Sequence, residues 1–201
     1  MAKVNWKGGT MLYPVPACLV SCGTMEQSNL ITVAWCGIIS SDPPRLYISV
    51  RKERFSHHIL TETKEFCVNL TTAAMVRGVD LCGVKSGRDV DKFKLAKFTK
   101  EKSVNVSCPQ VAESPITLEC KVFDIVPLGS HDMFMADIVS VAVDESLIDE
   151  KGALSLAKSN LVAYSHGSYM KLGAKVGSFG YSVKKKTPKK GGKVNGREKK
   201  K

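Results

Sequence analysis

The stretch that most constrains this chain runs from Asn29 to His58: NLITVAWCGIISSDPPRLYISVRKERFSHH. Ile31, Val33 and Trp35 alternate with Thr32, Ala34 and Cys36, the period-two pattern of a pleated strand with two different faces. Asp42-Pro43-Pro44 ends that pattern, because proline fixes its own φ and pushes the residue before it towards extended geometry. Leu46 to Val50 then reads as a second short strand, which delivers Arg51, Lys52 and Arg54 to a loop. Ser56 follows as the expected N-cap of a helix, with His57 and His58 in its first turn. Guanidinium groups, a hydroxyl and free backbone N–H groups at a helix start are what a phosphate needs.

The charge of the chain is unevenly placed. Its net charge is +11, yet Ser182 to Lys201 alone carries ten Lys or Arg and one Glu, so the remaining body is close to neutral. Val183 and Val194 are the only large apolar residues of that tail, too few to offset the entropy of ordering it. The expectation is one domain over residues 1–181 and a disordered Lys-rich tail over 182–201. Such a tail can attract nucleic acid or anionic lipid by charge alone, or act only as a solubilising extension. The body offers no basic groove with interleaved aromatics, so nucleic-acid binding ranks last among the functions considered. No long uninterrupted apolar run suggests a membrane span, and Met1 to Trp6 lacks the apolar core of a signal peptide. The cytoplasm is the expected location.

Cys18, Cys22, Cys36, Cys67, Cys82, Cys108 and Cys120 make an odd set of seven. There is no C-x-x-C and no Cys/His spacing of a structural zinc site, so no metal is expected. Free thiols acting as small core hydrophobes are the simplest reading. Cys36 stands apart because it lies in the constraining stretch, where a reactive thiol competes with a packing role.

In chain order, Ala17 to Thr24 predicts a first strand and Ser56 to Lys64 a helix. Phe66 to Leu70 is a strand rich in β-formers, and Thr72 to Cys82 a second helix with a rough apolar stripe. Cys82 to Phe93 is a polar, glycine-bearing loop ending in a short helical piece, with Ser86 and Lys92 as candidate donors over a ligand edge. Phe98 to Val111 reads as irregular. Ile116 to Leu128 and Met133 to Val143 are long strands joined by a Gly129-Ser130-His131-Asp132 hairpin loop, and Leu161 to Met170 is a last extended segment. Six or seven strands without a β-α-β rhythm argue for a mainly β chain: an antiparallel closed barrel with flanking helices. Neither G-x-G-x-x-G nor a P-loop occurs.

Asn29 to Gly37, Asp42-Pro43-Pro44 and Val50 to His57, in that order, resemble the flavin reductase-like family. The flavoredoxin branch is the nearest in pattern, supported by Ser86-Gly87-Arg88-Asp89-Val90-Asp91-Lys92-Phe93 and by Gly129-Ser130-His131-Asp132. The resemblance covers roughly residues 10 to 172. It implies an FMN-binding split β-barrel that forms a homodimer, with non-covalent FMN near the subunit interface. Asn29, Thr32, Ala34, Trp35 and Cys36 match the strand beside the isoalloxazine and ribityl chain. Ser49, Val50 and Arg51 match the next strand; Phe55, Ser56 and His57 match the phosphate-binding turn; Ser86 and Lys92 match the loop near the flavin. The isoalloxazine would do the electron chemistry while the chain supplies position and electrostatics.

Two function classes follow from that resemblance. One is an electron carrier exchanging electrons with a redox protein such as ferredoxin or an iron–sulfur enzyme. The other is an NAD(P)H-dependent flavin reductase. The family's reductases carry Gly-Asp-His in the hairpin, whereas this chain has Gly129-Ser130-His131, which weakens the case for NAD(P)H and favours the carrier. His131 and Cys36 are the candidate catalytic residues. Four of these residues also have plain structural readings: Arg51 as a surface charge, His57 as a first-turn polar residue, Trp35 as core or dimer interface and His131 as a turn residue.

Overall fold

A computed structural model describes residues 1–184. Most of the expected tail therefore lies outside the described residues. The elements are β1 (Val15–Pro16), β2 (Cys18–Gly23), β3 (Ser28–Val33), β4 (Cys36–Ser41), β5 (Pro44–Arg51), α1 (Phe55–Thr63), β6 (Glu65–Asn69) and α2 (Val76–Val84). They continue with α3 (Lys92–Ala96), β7 (Lys100–Glu101), β8 (Gln110–Val111), β9 (Ile116–Pro127), β10 (His131–Val143), β11 (Val162–Ser165) and β12 (Ser168–Lys171).

The mainly β, antiparallel reading holds, and the main sheet has seven strands in the order β3-β2-β6-β9-β10-β5-β4. Its two end strands, β3 and β4, are consecutive in the chain and separated by Ala34 and Trp35 alone. Laid flat, the ends of such a sheet would stand roughly 29 Å apart, at about 4.8 Å per strand spacing. The three Cα steps from Val33 to Cys36 reach at most about 11 Å. The sheet must therefore curl until its ends lie side by side, as a barrel whose two end strands share no hydrogen-bonded ladder. The Ser49 N–H donates to the Trp35 carbonyl at 2.8 Å and ties the crossing to β5. Register shifts in β9–β10, at Met135/Ala136 and Ile138/Ser140, put bends into the longest hairpin.

The crossing corrects one expectation. Asn29 to Cys36 is not one strand: it is two half-strands on opposite ends of the sheet, because the backbone turns at Ala34-Trp35. Five smaller corrections accompany it. Arg54, not Ser56, is the N-cap of α1, and it makes no side-chain cap. The second helix begins at Val76 rather than Thr72. His131 and Asp132 already belong to β10, and the expected irregular stretch contains the short β7–β8 pair. Leu161 to Met170 spans a hairpin rather than a single segment, turning at His166-Gly167.

Alternation sorts the side chains. Cys18, Val20, Cys22, Ile31, Val33, Ile48, Val50, Phe66, Val68, Phe134 and Ala136 fill the barrel, with Leu60 of α1 closing one side. The other face of β2 and β3 sends Leu19 and Leu30 under α2 and α3, against Val79, Cys82 and Phe93. Both faces of β2 are thus buried, which explains why CLVSCG carries no charge. Most buried polar groups are paired, the Ser28 hydroxyl being an exception among the described residues. Asn69 donates to the Leu19 carbonyl (3.1 Å) and the Ser21 hydroxyl (3.2 Å). Its carbonyl accepts from the Val111 N–H and the Thr117 hydroxyl, both at 2.9 Å. Glu119, fully buried on β9, accepts from Val104 N–H (2.9 Å), Asn105 N–H (2.6 Å) and the Gln110 side chain (2.9 Å), so it pins the 103–111 segment to the barrel.

Asn69→Leu keeps the volume but strands the Val111 N–H and the Thr117 hydroxyl without a partner in a dry site. Losing both is expected to cost about 3 kcal/mol, at roughly 1–3 kcal/mol per unsatisfied group. Urea unfolding at fixed protein concentration reads it, and an unchanged midpoint would contradict the network's role.

Candidate functional site

Three cavities run along the crossing and share walls. The first, about 370 Å³, is lined by Ile31, Arg51, Arg54, Ser56, Lys85 and Arg88, together with Glu53, Phe55, Ser86, Gly87 and Lys92. The second, about 170 Å³, shares Ile31, Arg51 and Arg54 with the first and adds Thr32, Ala34, Trp35, Ser49, Val50 and His131. The third, about 400 Å³, shares Ala34, Trp35 and Ser49 with the second and adds Cys36, Tyr47, Met11 and Leu12. Together they form one groove with a cationic end and an apolar end.

The cationic end is built by three elements. β5 ends at Arg51, the turn brings Arg54, and α1 starts at Phe55, so that Phe55 and Ser56 of its first turn line the cavity. No acidic residue occupies the first turn of α1, so its positive dipole end is uncompensated. The loop before α3 supplies Lys85 and Arg88, and α3 supplies Lys92. Glu53 is the one acid of this wall, and it lies 3.4 Å from Arg51. Lys92 is buried; its ammonium donates to the Cys82 carbonyl at 2.8 Å, and burial pulls its pKa down. An anion in the cavity would offset that desolvation.

Behind this wall the packing is tight. Asn29 is buried on β3 and donates to the Ser56 hydroxyl at 2.7 Å. A Cβ on Gly87 would come within 2.3 Å of the Asn29 side-chain oxygen and 2.6 Å of the Phe55 ring. Only a residue without a side chain lets this loop lie so close, and that closeness puts the backbone of 86–88 on the cavity. The Arg88 guanidinium lies over the Phe55 ring at 5.8 Å.

At the other end, Trp35 is 38% exposed, so it is not a core residue. Its ring packs against the His131 imidazole with centroids 4.6 Å apart. Desolvation and then the nearby Arg51 charge hold His131 below the usual histidine pKa. Cys36 lines the third cavity alone of the seven thiols.

Of the residues read from sequence, Ala34, Trp35, Cys36, Ser49, Val50, Arg51, Phe55, Ser56, Ser86, Lys92 and His131 line the groove. Asn29 stands one layer behind and positions Ser56. Thr32 gives the groove its backbone, while its hydroxyl turns away and donates to the Val79 carbonyl on α2. His57 does not line the groove: its Nε2 pairs with Asp132 at 2.8 Å and its ring meets the Phe134 edge. Lys52 also goes to Asp132, at 3.4 Å. Sequence reasoning brought Arg54 to the loop without matching it to the site, left Lys85 and Arg88 out, and did not foresee that Asp132 holds His57 away from the groove. The basic run RKER and the GR of Ser86-Gly87-Arg88 were available signals; the pairing of Asp132 with His57, 75 residues apart, was not. Among the described residues no group of three His, Cys, Asp or Glu could hold a metal ion.

Comparison with known proteins agrees with this architecture. The family model described as the flavin reductase like domain matches residues 10–173. The solved structure of flavoredoxin from Desulfovibrio vulgaris (Miyazaki F) superposes with a TM-score of 0.84 at 28% identity, covering 91% of this chain and all of that one. Flavoredoxin from Methanosarcina acetivorans gives a TM-score of 0.83 at 24% identity, covering 92% and 100%. A curated relative, the FMN reductase (NADH) RutF of Enterobacter cloacae, is 25% identical over 119 residues, 59% of this chain and 70% of that protein.

Burial works to raise the Asp132 pKa, but hydrogen bonds from His57 and Lys52 outweigh it and hold the carboxyl below its usual range. A depressed carboxyl pKa contributes stability above the unfolded value of about 3.9. That contribution is lost as pH falls through the lower folded value. Asp132→Asn is therefore expected to lower the thermal midpoint at pH 7, with the gap to wild type closing as pH falls below about 4. A gap that stays constant across that range would remove the ion pair as its cause.

Proposed function

The chain belongs to the flavin reductase like domain family, and from that premise we propose that it is an FMN-binding flavoprotein acting in electron transfer with a redox protein partner, as a homodimer. The observation that carries this reading is the graded groove: five cations and a helix start at one end, a narrow neck, and an apolar mouth at the other. That donor set fits a phosphate-bearing flavin held without a covalent bond. Arg51, Arg54, Ser56 and Lys92 would hold the phosphate, with Lys85 and Arg88 adding charge. Ser49, Val50 and the backbone of Thr32 would flank the ribityl chain. Ala34, Trp35 and Cys36 would border the ring, where His131 and Trp35 limit access of water. When bound, the flavin supplies the one- and two-electron chemistry.

The partner side rests on the kinship to flavoredoxins together with the changed hairpin. The exposed apolar residues Met11, Leu12, Ile38 and Ile39 support a second copy docking beside the groove. A second reading, an NAD(P)H-dependent flavin reductase, is favoured by the RutF relative, an FMN reductase (NADH) by name. Among the described residues no helix is long and apolar enough to cross a membrane.

Absorption spectroscopy of the purified protein, with and without added FMN, tests the core of the proposal. Absence of any bound flavin would overturn it. Anaerobic addition of NADH and NADPH then divides the two readings: rapid bleaching of bound FMN makes the protein a reductase. Flavin untouched by both, yet reducible by reduced ferredoxin, makes it a carrier. Arg54→Ala is expected to weaken FMN binding about tenfold to a hundredfold, one charge-assisted contact being worth roughly 1.5–3 kcal/mol. Riboflavin, which has no phosphate, should lose little, and equal losses for both would remove Arg54 from the phosphate end.

A further inference from the structure

Two of the seven thiols meet where the barrel closes. The Cys36 Sγ lies 3.9 Å from the Cys18 Sγ, within sulfur hydrogen-bond reach. Cys18 opens β2, paired with Val33 of β3, at one end of the sheet. Cys36 opens β4, paired with Ile48 of β5, at the other end. The contact therefore spans the seam of the barrel, beside the Ala34-Trp35 crossing. We infer that Cys18 and Cys36 are a redox-active dithiol, oxidised to a disulfide by a small two-electron oxidant of the peroxide class that enters through the apolar cavity.

The two thiols are unequal in the way such a pair needs. Cys36 is partly exposed and lines the cavity with Trp35, Tyr47 and Met11, whereas Cys18 is 3% exposed and lies behind it. The Cys18 thiol holds Cys36 below the ordinary thiol pKa, against the upward pull of burial. The same contact, followed by burial, pushes Cys18 up. Cys36 is thus the attacking thiolate and Cys18 the resolving thiol. In the first step the Cys36 thiolate attacks a peroxide oxygen; an S–O bond forms, the O–O bond breaks, and the hydroxide released takes a proton to become water. In the second, the Cys18 sulfur attacks the Cys36 sulfenic acid; an S–S bond forms, the S–O bond breaks, and the Cys18 proton leaves with the departing hydroxide as a second water. Two thiols lose two electrons and one peroxide becomes two waters.

A second close pair provides an internal control. Cys67 and Cys108 lie 3.5 Å apart, closer than the first pair, but both are fully buried beside Ser103. Proximity without access should leave them reduced. The disulfide at the seam would link both ends of the sheet covalently and stiffen the wall that Ala34 and Trp35 give to the groove.

The test uses the full chain without added flavin, so its failure is independent of the flavin reading. The protein is treated with hydrogen peroxide, its remaining thiols are alkylated after denaturation, and it is digested on the carboxyl side of glutamate. Cleavage after Glu26 and Glu53 leaves Cys36 alone in one peptide and Cys18 with Cys22 in another, so fragmentation identifies the partner. A Cys18–Cys36 crosslink is expected, reversed by dithiothreitol and formed at least tenfold faster than any Cys67–Cys108 crosslink. Cys18→Ser should stop at the first step and leave Cys36 trappable by dimedone; Cys36→Ser should give neither product. Both thiols alkylated after peroxide treatment, or a Cys67–Cys108 bond forming as fast, would overturn the assignment.

Discussion

The crossing at Ala34-Trp35 is the constraint on which the rest of the molecule depends. Two residues cannot bridge the width of a flat seven-stranded sheet, so the chain must close the barrel or break the pairing of β3 with β2 or of β4 with β5. Closure turns the backbone at that point out of the ladder. Residues 34 and 35 then have no strand neighbour on one side beyond the Ser49–Trp35 hydrogen bond. A groove opens there because the sheet is least complete there, and all three cavities draw a wall from the crossing or its flanks.

The groove's charge gradient has its own physical origin. Its cationic end collects residues from a strand end, a helix start and a loop, which are the places where backbone N–H groups are left unpaired. Close packing of Gly87 on Asn29 and Phe55 seats the loop against β3 and α1, so the cations it carries are held near those of the strand end and helix start. Their mutual repulsion favours an anion that neutralises it. Lys92 makes the point most directly, since its ammonium is desolvated and has a single carbonyl as its hydrogen-bond partner.

Much of this was legible in the chain itself. Alternation, the Asp42-Pro43-Pro44 break and the basic run after Val50 gave the strand–turn–strand–helix order, and the motif order pointed to the family. What stayed hidden was set by contacts distant in sequence. Period-two alternation continues unbroken through Ala34 and Trp35, so nothing local says that one strand ends and another begins on the far side of the sheet. Ser56 has the chemistry of an N-cap, but Asn29, 27 residues earlier, uses its hydroxyl instead, and the helix starts one residue sooner without a side-chain cap. Side-chain direction was equally out of reach: Thr32 belongs to the groove by its backbone and to α2 by its hydroxyl.

The hairpin shows how far one residue of register can move a function. Along β10, Asp132, Phe134 and Ala136 point into the barrel, so His131 must point the other way. Asp132 sits opposite Val50 and turns to His57 and Lys52; His131 sits opposite Arg51 and turns to Trp35. An acid on the inner face cannot lie against the histidine on the outer face, so His131 has a cation rather than a carboxylate as its nearest charge. Its lowered pKa follows from that and from desolvation, and it keeps the imidazole neutral around pH 7. A neutral ring against Trp35 leaves positive charge at the cationic end of the groove and removes it from the opposite end. In the turn, the neutral Ser130 hydroxyl lies 2.9 Å from the His131 Nδ1 and adds no charge to it.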